Sequence, residues 1–299
     1  MADQPADQPS VTAAAAGTID AGGDLTVNRM GFGAMRITGR GIWGEPPDRD
    51  QAKAVLRRAL ELGVNFIDTA DSYGPHVSET LIAEALFPYP DDLVIASKGG
   101  LVRPGPGRWP ADGRPEHLRE ACEGSLRRLR LEQIPLYQFH RPDPAVPLEE
   151  SVGALVELRQ EGKIRHIGLS NVTEEQLRRA QRLTPVVSIQ NRYNLVDRVS
   201  DSLIDLCEQE TLVFLPWAPI RDLDLDRNPA LREVAERHGA TATQVGLAWL
   251  LARSPAVLAI PGTGTVAHLE EDLAAAGLEL SVAEADALSA GTRLSGPVQ

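Results

Sequence analysis

Short apolar runs alternate with amphipathic stretches along most of the chain. Eight runs rich in β-branched or aromatic residues predict buried strands. They lie at residues 29–35, 65–69, 93–97, 136–139, 166–169, 186–190, 212–215 and 257–260. Between them, apolar side chains recur every three or four residues, which predicts helices. These lie at residues 50–62, 78–86, 115–129, 148–160, 173–182, 200–209, 241–252 and 266–275.

Strict alternation of strands and helices favours parallel strands joined by right-handed crossovers, and eight such units can close a barrel. The predicted fold class is therefore α/β, a (β/α)₈ TIM barrel. Upstream, Thr18-Ile-Asp and Leu25-Thr-Val flank a glycine turn, which predicts a β-hairpin that covers the bottom of the barrel. A last helix at residues 282–290 is expected to pack outside. We predict a disordered tail at residues 1–16 and a single domain at residues 17–299.

Composition narrows the class of partner. The 42 acidic and 30 basic residues give a net charge of −12, which disfavours binding to nucleic acid. No stretch has the length and hydrophobicity of a membrane span, and the N-terminus lacks the pattern of a secretory signal. Cys122 and Cys207 form no metal or redox spacing and fit apolar helical faces. This use of cysteine suits the reducing cytoplasm.

Polar residues stand at the C-terminal ends of the predicted strands, where barrels of this type carry their active sites. They are Asp68, Lys98, His140, Ser170 with Asn171, Gln190 with Asn191, and Trp217, and Tyr73 follows Asp68 by five residues. Because these strand ends meet at one mouth, we expect the side chains to converge there.

The chemistry of this set suits addition of hydride to a carbonyl group. A tyrosine hydroxyl is a weak acid, and the Lys98 ammonium is expected to lower the pKa of Tyr73. Asp68 can balance the charge of Lys98. His140 can donate a hydrogen bond to a substrate carbonyl and fix its orientation, while a cofactor supplies the hydride.

Four ordered segments resemble the aldo-keto reductase family, and the similarity runs from about residue 18 to 290. The segments are Gly63-Val-Asn-Phe-Ile-Asp-Thr-Ala-Asp-Ser-Tyr-Gly74, Leu136-Tyr-Gln-Phe-His-Arg-Pro-Asp143, Gly162-Lys-Ile-Arg-His-Ile-Gly-Leu-Ser-Asn171 and Ile260-Pro-Gly-Thr-Gly-Thr265. The resemblance implies that Tyr73 is the general acid, that Lys98 and Asp68 tune it, and that His140 orients the carbonyl.

The resemblance also implies a cofactor site. Ser170, Asn171 and Gln190 would hold the nicotinamide carboxamide, and Trp217 would stack on the ring where family members usually have Tyr or Phe. The adenosine phosphates would bind to the last strand–loop–helix unit, at Pro261, Gly262, Thr263, Gly264, Thr265, His268, Glu271 and Asp272. Many family members carry cations at the positions of Gly262 and His268. NADP(H) is expected, with NAD(H) as the alternative.

Other functions remain open at this point. A nucleotide-sensing subunit with little turnover would use the same barrel, although the intact Asp68, Tyr73, Lys98 and His140 favour an enzyme. A metal-dependent hydrolase lacks a ligand cluster, so no metal is expected. Residues 73–98 resemble the bacterial branch that includes pyridoxal reductases, which makes pyridoxal the leading specific substrate among small-molecule carbonyls. Trp43 and Trp109 are expected either to line the substrate pocket or to pack within loops. The sequence does not indicate an oligomeric state.

Overall fold

The structure, a computed structural model, describes residues 11–291. It begins with a short 3₁₀ helix, Ala13–Ala16, whose first side chain is fully buried. The Ala13 N–H donates to the Leu62 carbonyl at 2.8 Å, so this segment is fixed to the end of the first long helix. The predicted disordered tail is therefore wrong for residues 13–16. Its first ten residues, and the last eight of the predicted domain, lie outside the described residues.

The predicted hairpin is present. Strands β1 (Thr18–Ala21) and β2 (Leu25–Asn28) pair antiparallel around two glycines with positive φ. Ala21, Leu25 and Val27 are buried in one cluster with residues at the N-terminal ends of the barrel strands, such as Phe66 and Val94. The hairpin thus covers the bottom of the barrel, opposite the strand ends where the candidate site lies.

Seven parallel strands follow one another around the barrel in chain order. They are β3 (Phe32–Gly33), β4 (Phe66–Asp68), β5 (Val94–Gly99), β6 (Ile134–Phe139), β7 (Ile164–Ser170), β8 (Ser188–Arg192) and β9 (Val213–Trp217). Residues 257–260 close the barrel between β9 and β3. In this closing segment the Leu258 N–H donates to Phe214, and the Ala259 carbonyl accepts from Gly31, each through a backbone bond.

The first predicted strand, residues 29–35, is shorter than expected at both ends. After β3 the chain turns into a 3₁₀ helix, Ala34–Ile37, which bends it across the mouth of the barrel. Glycine is needed at the start of this turn, because a Cβ atom at Gly33 would lie only 2.7 Å from the Ile260 carbonyl oxygen. The residues at 34–37 therefore belong to the rim of the site, while the strand itself ends below them.

All the predicted helices form, with ends shifted by at most one residue. They are α1 (Arg49–Glu61), α2 (Val77–Leu86), α3 (Pro115–Leu129), α4 (Leu148–Gln160), α5 (Glu174–Gln181), α6 (Asp201–Gln209), α8 (Ala242–Arg253), α9 (Val266–Ala274) and α10 (Val282–Gly291). The pattern did not predict α7 (Pro229–His238), which begins at an Asn228 cap and ends at Gly239. No helix within residues 11–291 is long and apolar enough to cross a membrane.

Candidate active site

A buried ammonium group lies at the centre of the mouth of the barrel. The Nζ atom of Lys98 donates to Asp68 Oδ2 at 2.6 Å and to the Thr69 carbonyl at 2.9 Å. Its third contact is the Tyr73 hydroxyl, at 3.4 Å. Lys98 is 0% exposed and Asp68 is 3% exposed, so this ion pair is removed from water. The structure thus brings together three of the four residues predicted to be catalytic.

The pleat of the strands explains this convergence. Side chains two residues apart on a strand point to the same side. Phe66, Ala96 and Leu136 lie in the apolar cluster inside the barrel, and Asp68, Lys98 and Gln138 form the polar layer above them. Asp68 Oδ1 accepts hydrogen bonds from Gln138 at 3.0 Å and from Gln190 at 2.8 Å. The sequence analysis missed Gln138, although its position two residues before His140 could have indicated it.

The nearby positive charge and burial shift the pKa of Tyr73 in opposite directions. Burial raises the pKa of the Tyr73 phenol, and the Lys98 ammonium lowers it by a smaller amount, so the net shift is upward. Lys98 therefore acts on the pKa of Tyr73 in the predicted direction, but burial outweighs it, because the side chain is only 6% exposed. Burial also disfavours the Lys98 ammonium, but the contacts with Asp68 and Tyr73 together outweigh burial, and the pKa of Lys98 is raised. At neutral pH the pair is thus a neutral phenol beside a charged amine.

The fourth predicted residue, His140, faces the tyrosine. The Tyr73 and His140 ring centroids are 5.8 Å apart in an edge-to-face arrangement, and His140 Nδ1 lies 3.4 Å from Ser72 Oγ. Burial lowers the pKa of His140 well below its ordinary value, and the charges of Lys98 and Arg141 lower it further. The imidazole is neutral at pH 7 and can donate one hydrogen bond to a carbonyl oxygen placed next to Tyr73.

The residues predicted to hold a nicotinamide lie at the C-terminal ends of β7, β8 and β9. Asn171, at a positive φ of 57°, donates to the His140 carbonyl at 3.0 Å and to Ser170 Oγ at 3.0 Å. Its Oδ1 accepts from the indole N–H of Trp217 at 3.1 Å. Asn171 therefore connects the backbone at His140 to the Trp217 ring. The side-chain amide of Gln190 donates to Asp68.

These side chains surround a cleft of about 760 Å³. Eight of the predicted site residues line it: Asp68, Tyr73, His140, Ser170, Asn171, Gln190, Trp217 and Gly262. The sequence analysis missed three arginines in its wall, Arg36, Arg141 and Arg221. Each follows a strand by two to four residues, so their positions along the chain could have indicated them.

Arg103 contacts two tryptophan rings, one of which lines the cleft. The guanidinium carbon of Arg103 lies 3.4 Å from the Trp109 ring centroid and 5.5 Å from that of Trp43. Arg103 also donates to the Ser72 carbonyl at 3.0 Å. Trp109 lines the cleft and packs edge-on against Tyr73, with centroids 6.4 Å apart. Each of the two alternatives thus applies to one tryptophan. Trp109 lines the pocket, and Trp43 packs beside Arg103.

The predicted phosphate segment follows the closing segment. The carbonyl of Pro261 accepts from Gly33, and a Cβ at Gly262 would lie 2.3 Å from the Gly33 carbonyl oxygen, so only glycine fits there. Thr265 caps α9, accepting from the His268 N–H. The Thr263 hydroxyl accepts from the Thr265 N–H at 3.2 Å. This segment presents the N-terminus of a helix, a favourable place for a phosphate group.

The remaining predicted residues lie along α9. His268 is exposed, Glu271 is half-buried, and Asp272 is only 4% exposed. Gly264 lies against the backbone of Arg36, whose carbonyl oxygen would be 3.2 Å from an added Cβ. Of the predicted phosphate residues, only Gly262 borders the cleft itself, and the others extend from it along the loop and helix.

Asp272 should make the stability of the fold depend on pH. Burial, with a smaller contribution from Glu271, raises the pKa of Asp272 from 3.8 to about 7. The folded state holds this proton more tightly than the unfolded state, so ionisation destabilises the fold as pH rises from about 4 to about 7. We expect Asp272→Asn to raise the free energy of unfolding at pH 8 by roughly 2–4 kcal/mol. Urea unfolding at pH 8 and below pH 4 measures this.

The gain should vanish below pH 4, where the carboxyl group is protonated in both states. Asp286→Asn, which neutralises an exposed aspartate on α10, is the matched control and should change little at either pH. An equal effect of Asp272→Asn at both pH values would show that burial of its charge does not limit stability.

Within residues 11–291, no group of three or more His, Cys, Asp or Glu side chains is arranged to hold a metal ion. The fold and the cleft therefore define a (β/α)₈ barrel protein with a candidate active site at the C-terminal ends of its strands, built around a buried lysine, a tyrosine and a neutral histidine. The chain belongs to the aldo/keto reductase family, whose sequence profile matches residues 29–291. This confirms the resemblance drawn from the four segments.

Individual relatives agree with this assignment. An uncharacterised oxidoreductase of Schizosaccharomyces pombe is 49% identical over 273 residues, covering 91% of this chain and 89% of the relative. Pyridoxine 4-dehydrogenase of Escherichia coli is 43% identical over 266 residues, covering 87% and 93%. A crystal structure of an aldo/keto reductase from Klebsiella pneumoniae, in complex with NADP and acetate, is 28% identical with a TM-score of 0.78, covering 93% of this chain and 96% of that one.

Proposed function

We propose that this protein reduces an aldehyde or ketone to an alcohol with NADPH, and that Tyr73 donates the proton. The observation that carries the proposal is the Tyr73 hydroxyl, which lies 3.4 Å from the Lys98 ammonium at the base of the cleft. A neutral phenol next to a fixed positive charge can release its proton as negative charge develops on a carbonyl oxygen. The neutral His140 donates a second hydrogen bond to the same oxygen.

The residues present fit a nicotinamide dinucleotide. The indole of Trp217, held by Asn171, offers a flat face for a nicotinamide ring. Arg36 and Arg221 stand on either side of the glycine segment 262–264 at the cleft wall and can balance phosphate charge. When bound, NADP(H) supplies the hydride that adds to the carbonyl carbon, and the protein supplies the proton and the orientation.

The choice of cofactor rests on the phosphate segment. Gly262 and His268 stand where many family members have cations, so the 2′-phosphate would depend on Thr263, His268 and the N-terminal amides of α9. The Klebsiella relative was solved with NADP, which supports NADP(H) over NAD(H) here.

Pyridoxal is the specific substrate we propose. Pyridoxine 4-dehydrogenase of Escherichia coli is 43% identical to this chain over 93% of its own length. The wall formed by Trp109 offers an aromatic surface against which a pyridine ring can pack. The four-residue set also favours turnover over a nucleotide-sensing role, which would not require a buried acid at the base of the cleft. We place the protein in the cytoplasm, where its two buried thiols, Cys122 and Cys207, would remain reduced.

Consumption of NADPH with pyridoxal and with simple aromatic aldehydes, followed by absorbance, tests the proposal. We expect turnover with pyridoxal, with NADPH preferred to NADH in kcat/KM. A preference for NADH would reverse the cofactor assignment. Tight binding of NADPH without oxidation by any carbonyl compound would instead favour the nucleotide-sensing alternative.

A further inference from the structure

The charges in the cleft wall are almost all positive. Arg36, Arg141 and Arg221 line it, and among the lining residues within 11–291 the one carboxylate is Asp68, which the Lys98 ammonium neutralises at 2.6 Å. This is unexpected in a chain with a net charge of −12. A cationic cleft in an acidic protein indicates that the compounds bound there are anionic.

The order of strands separates these arginines into two groups. Arg36 follows β3 and Arg221 follows β9, the two neighbours of the closing segment 257–260. Both therefore flank the glycine segment where the cofactor phosphates are proposed to bind. Arg141 follows β6, and three strands separate β6 from the closing segment in either direction around the barrel. Arg141 thus lies across the mouth from the phosphate segment, on the side of His140.

Arg141 has no internal partner within residues 11–291. It makes no hydrogen bond or ion pair there, and its side chain is exposed at the cleft. The nearest acidic residue along the chain, Asp143, is engaged elsewhere, because its two oxygens accept from the backbone N–H groups of Gly113 and Ala145. The guanidinium is therefore available to a ligand, and its fork of donors matches a carboxylate or a phosphate group.

We infer that the cleft favours carbonyl substrates that carry an anionic group, a carboxylate or a phosphate, on the side of the carbonyl remote from the nicotinamide, and that Arg141 binds this group. A neutral aldehyde such as pyridoxal would then be used less well than an anionic counterpart. This inference rests on the proposed carbonyl reduction. Arg141 lines the same cleft as Tyr73 and His140. It is therefore available to a part of the substrate beyond the carbonyl group whose oxygen those two residues hold. Arg141 is thus a specificity residue, which determines which aldehydes are used and takes no part in proton transfer.

Matched aldehydes test the inference. The probes are 4-carboxybenzaldehyde, its neutral methyl ester and 4-formylphenyl phosphate, each assayed with NADPH. We expect at least one anionic aldehyde to exceed the ester by about tenfold or more in kcat/KM, mainly through a lower KM. The excess should shrink as salt is raised, because the contact is exposed to solvent. Preference for the carboxylate or for the phosphate identifies which anion the site recognises.

Variants show whether Arg141 is responsible. Arg141→Gln should remove most of the preference, and Arg141→Lys should keep part of it. Arg232→Gln removes an exposed cation from α7, away from the cleft, with the same change in net charge, and should keep the full preference. Equal use of ester and anions by the unaltered protein, or a preference that survives Arg141→Gln, would overturn the inference while leaving the reductase proposal intact. Absence of turnover with the ester and with both anions would count against the proposed function as well.

Discussion

Tyr73→Phe is expected to lower kcat for carbonyl reduction by roughly 10²–10⁴-fold. The variant loses the hydroxyl that lies 3.4 Å from Lys98 Nζ and keeps the ring that packs edge-on against His140 and Trp109. Binding of NADPH, measured by fluorescence titration, should change little, because the loss concerns proton transfer. The matched control is Tyr89→Phe, which removes a hydroxyl bonded to the Leu129 carbonyl far from the cleft.

The pH profile of the unaltered enzyme adds a second readout. The reducing form requires protonated Tyr73, whose pKa is raised above its ordinary value of 10.0. It also requires neutral His140, whose pKa lies well below 6.5. The rate of the chemical step should therefore be nearly flat from below pH 6.5 to above pH 10.0, and should fall only outside that range, where His140 becomes protonated or Tyr73 becomes ionised. A Tyr73→Phe variant with near-normal kcat would eliminate tyrosine as the acid.

Lys98→Met should produce the largest loss of stability, about 3–5 kcal/mol in the free energy of unfolding. It leaves the Asp68 carboxylate buried without its counter-ion, although Gln138 and Gln190 still donate to it. It also removes the positive charge next to Tyr73, so reductase activity should be lost. Since the pKa of Lys98 is raised in the folded state, its contribution is complete below 10.5 and is lost only as pH rises through the folded pKa.

A second substitution separates stability from catalysis. Asp68→Asn in the Lys98→Met background removes the unpaired charge, so urea unfolding should show most of the stability restored while activity stays low. Lys163→Met is the matched control, because Lys163 pairs with Glu123 and Glu161 at the surface and should cost below about 1 kcal/mol. If the double variant is no more stable than Lys98→Met, the buried charge is not the cause of the loss.

The prediction from sequence failed where tertiary contacts, and not the local residue pattern, determine the structure. The 3.6-residue period found the helices around the barrel, but α7 lies in a long connection after β9 and was missed. Residues 13–16 are all alanine and resemble a tail, yet they are fixed against the end of α1 by one backbone bond and the burial of Ala13.

The spacing of apolar residues and the positions of polar residues along the chain were enough to predict the barrel, the strand ends and the four residues at its mouth. Alternating apolar runs specify parallel strands, and polar residues that end such strands must meet at one rim. The tertiary structure decided what the charges do there. The net effect on the pKa of Tyr73 depends on how deeply the side chain is buried, which no residue pattern records. Three further features likewise depend on distances between residues far apart in the chain. They are the hydrogen bond from Gln138 to Asp68, the stacking of Arg103 on Trp109, and the separation of Arg141 from the other two cleft arginines.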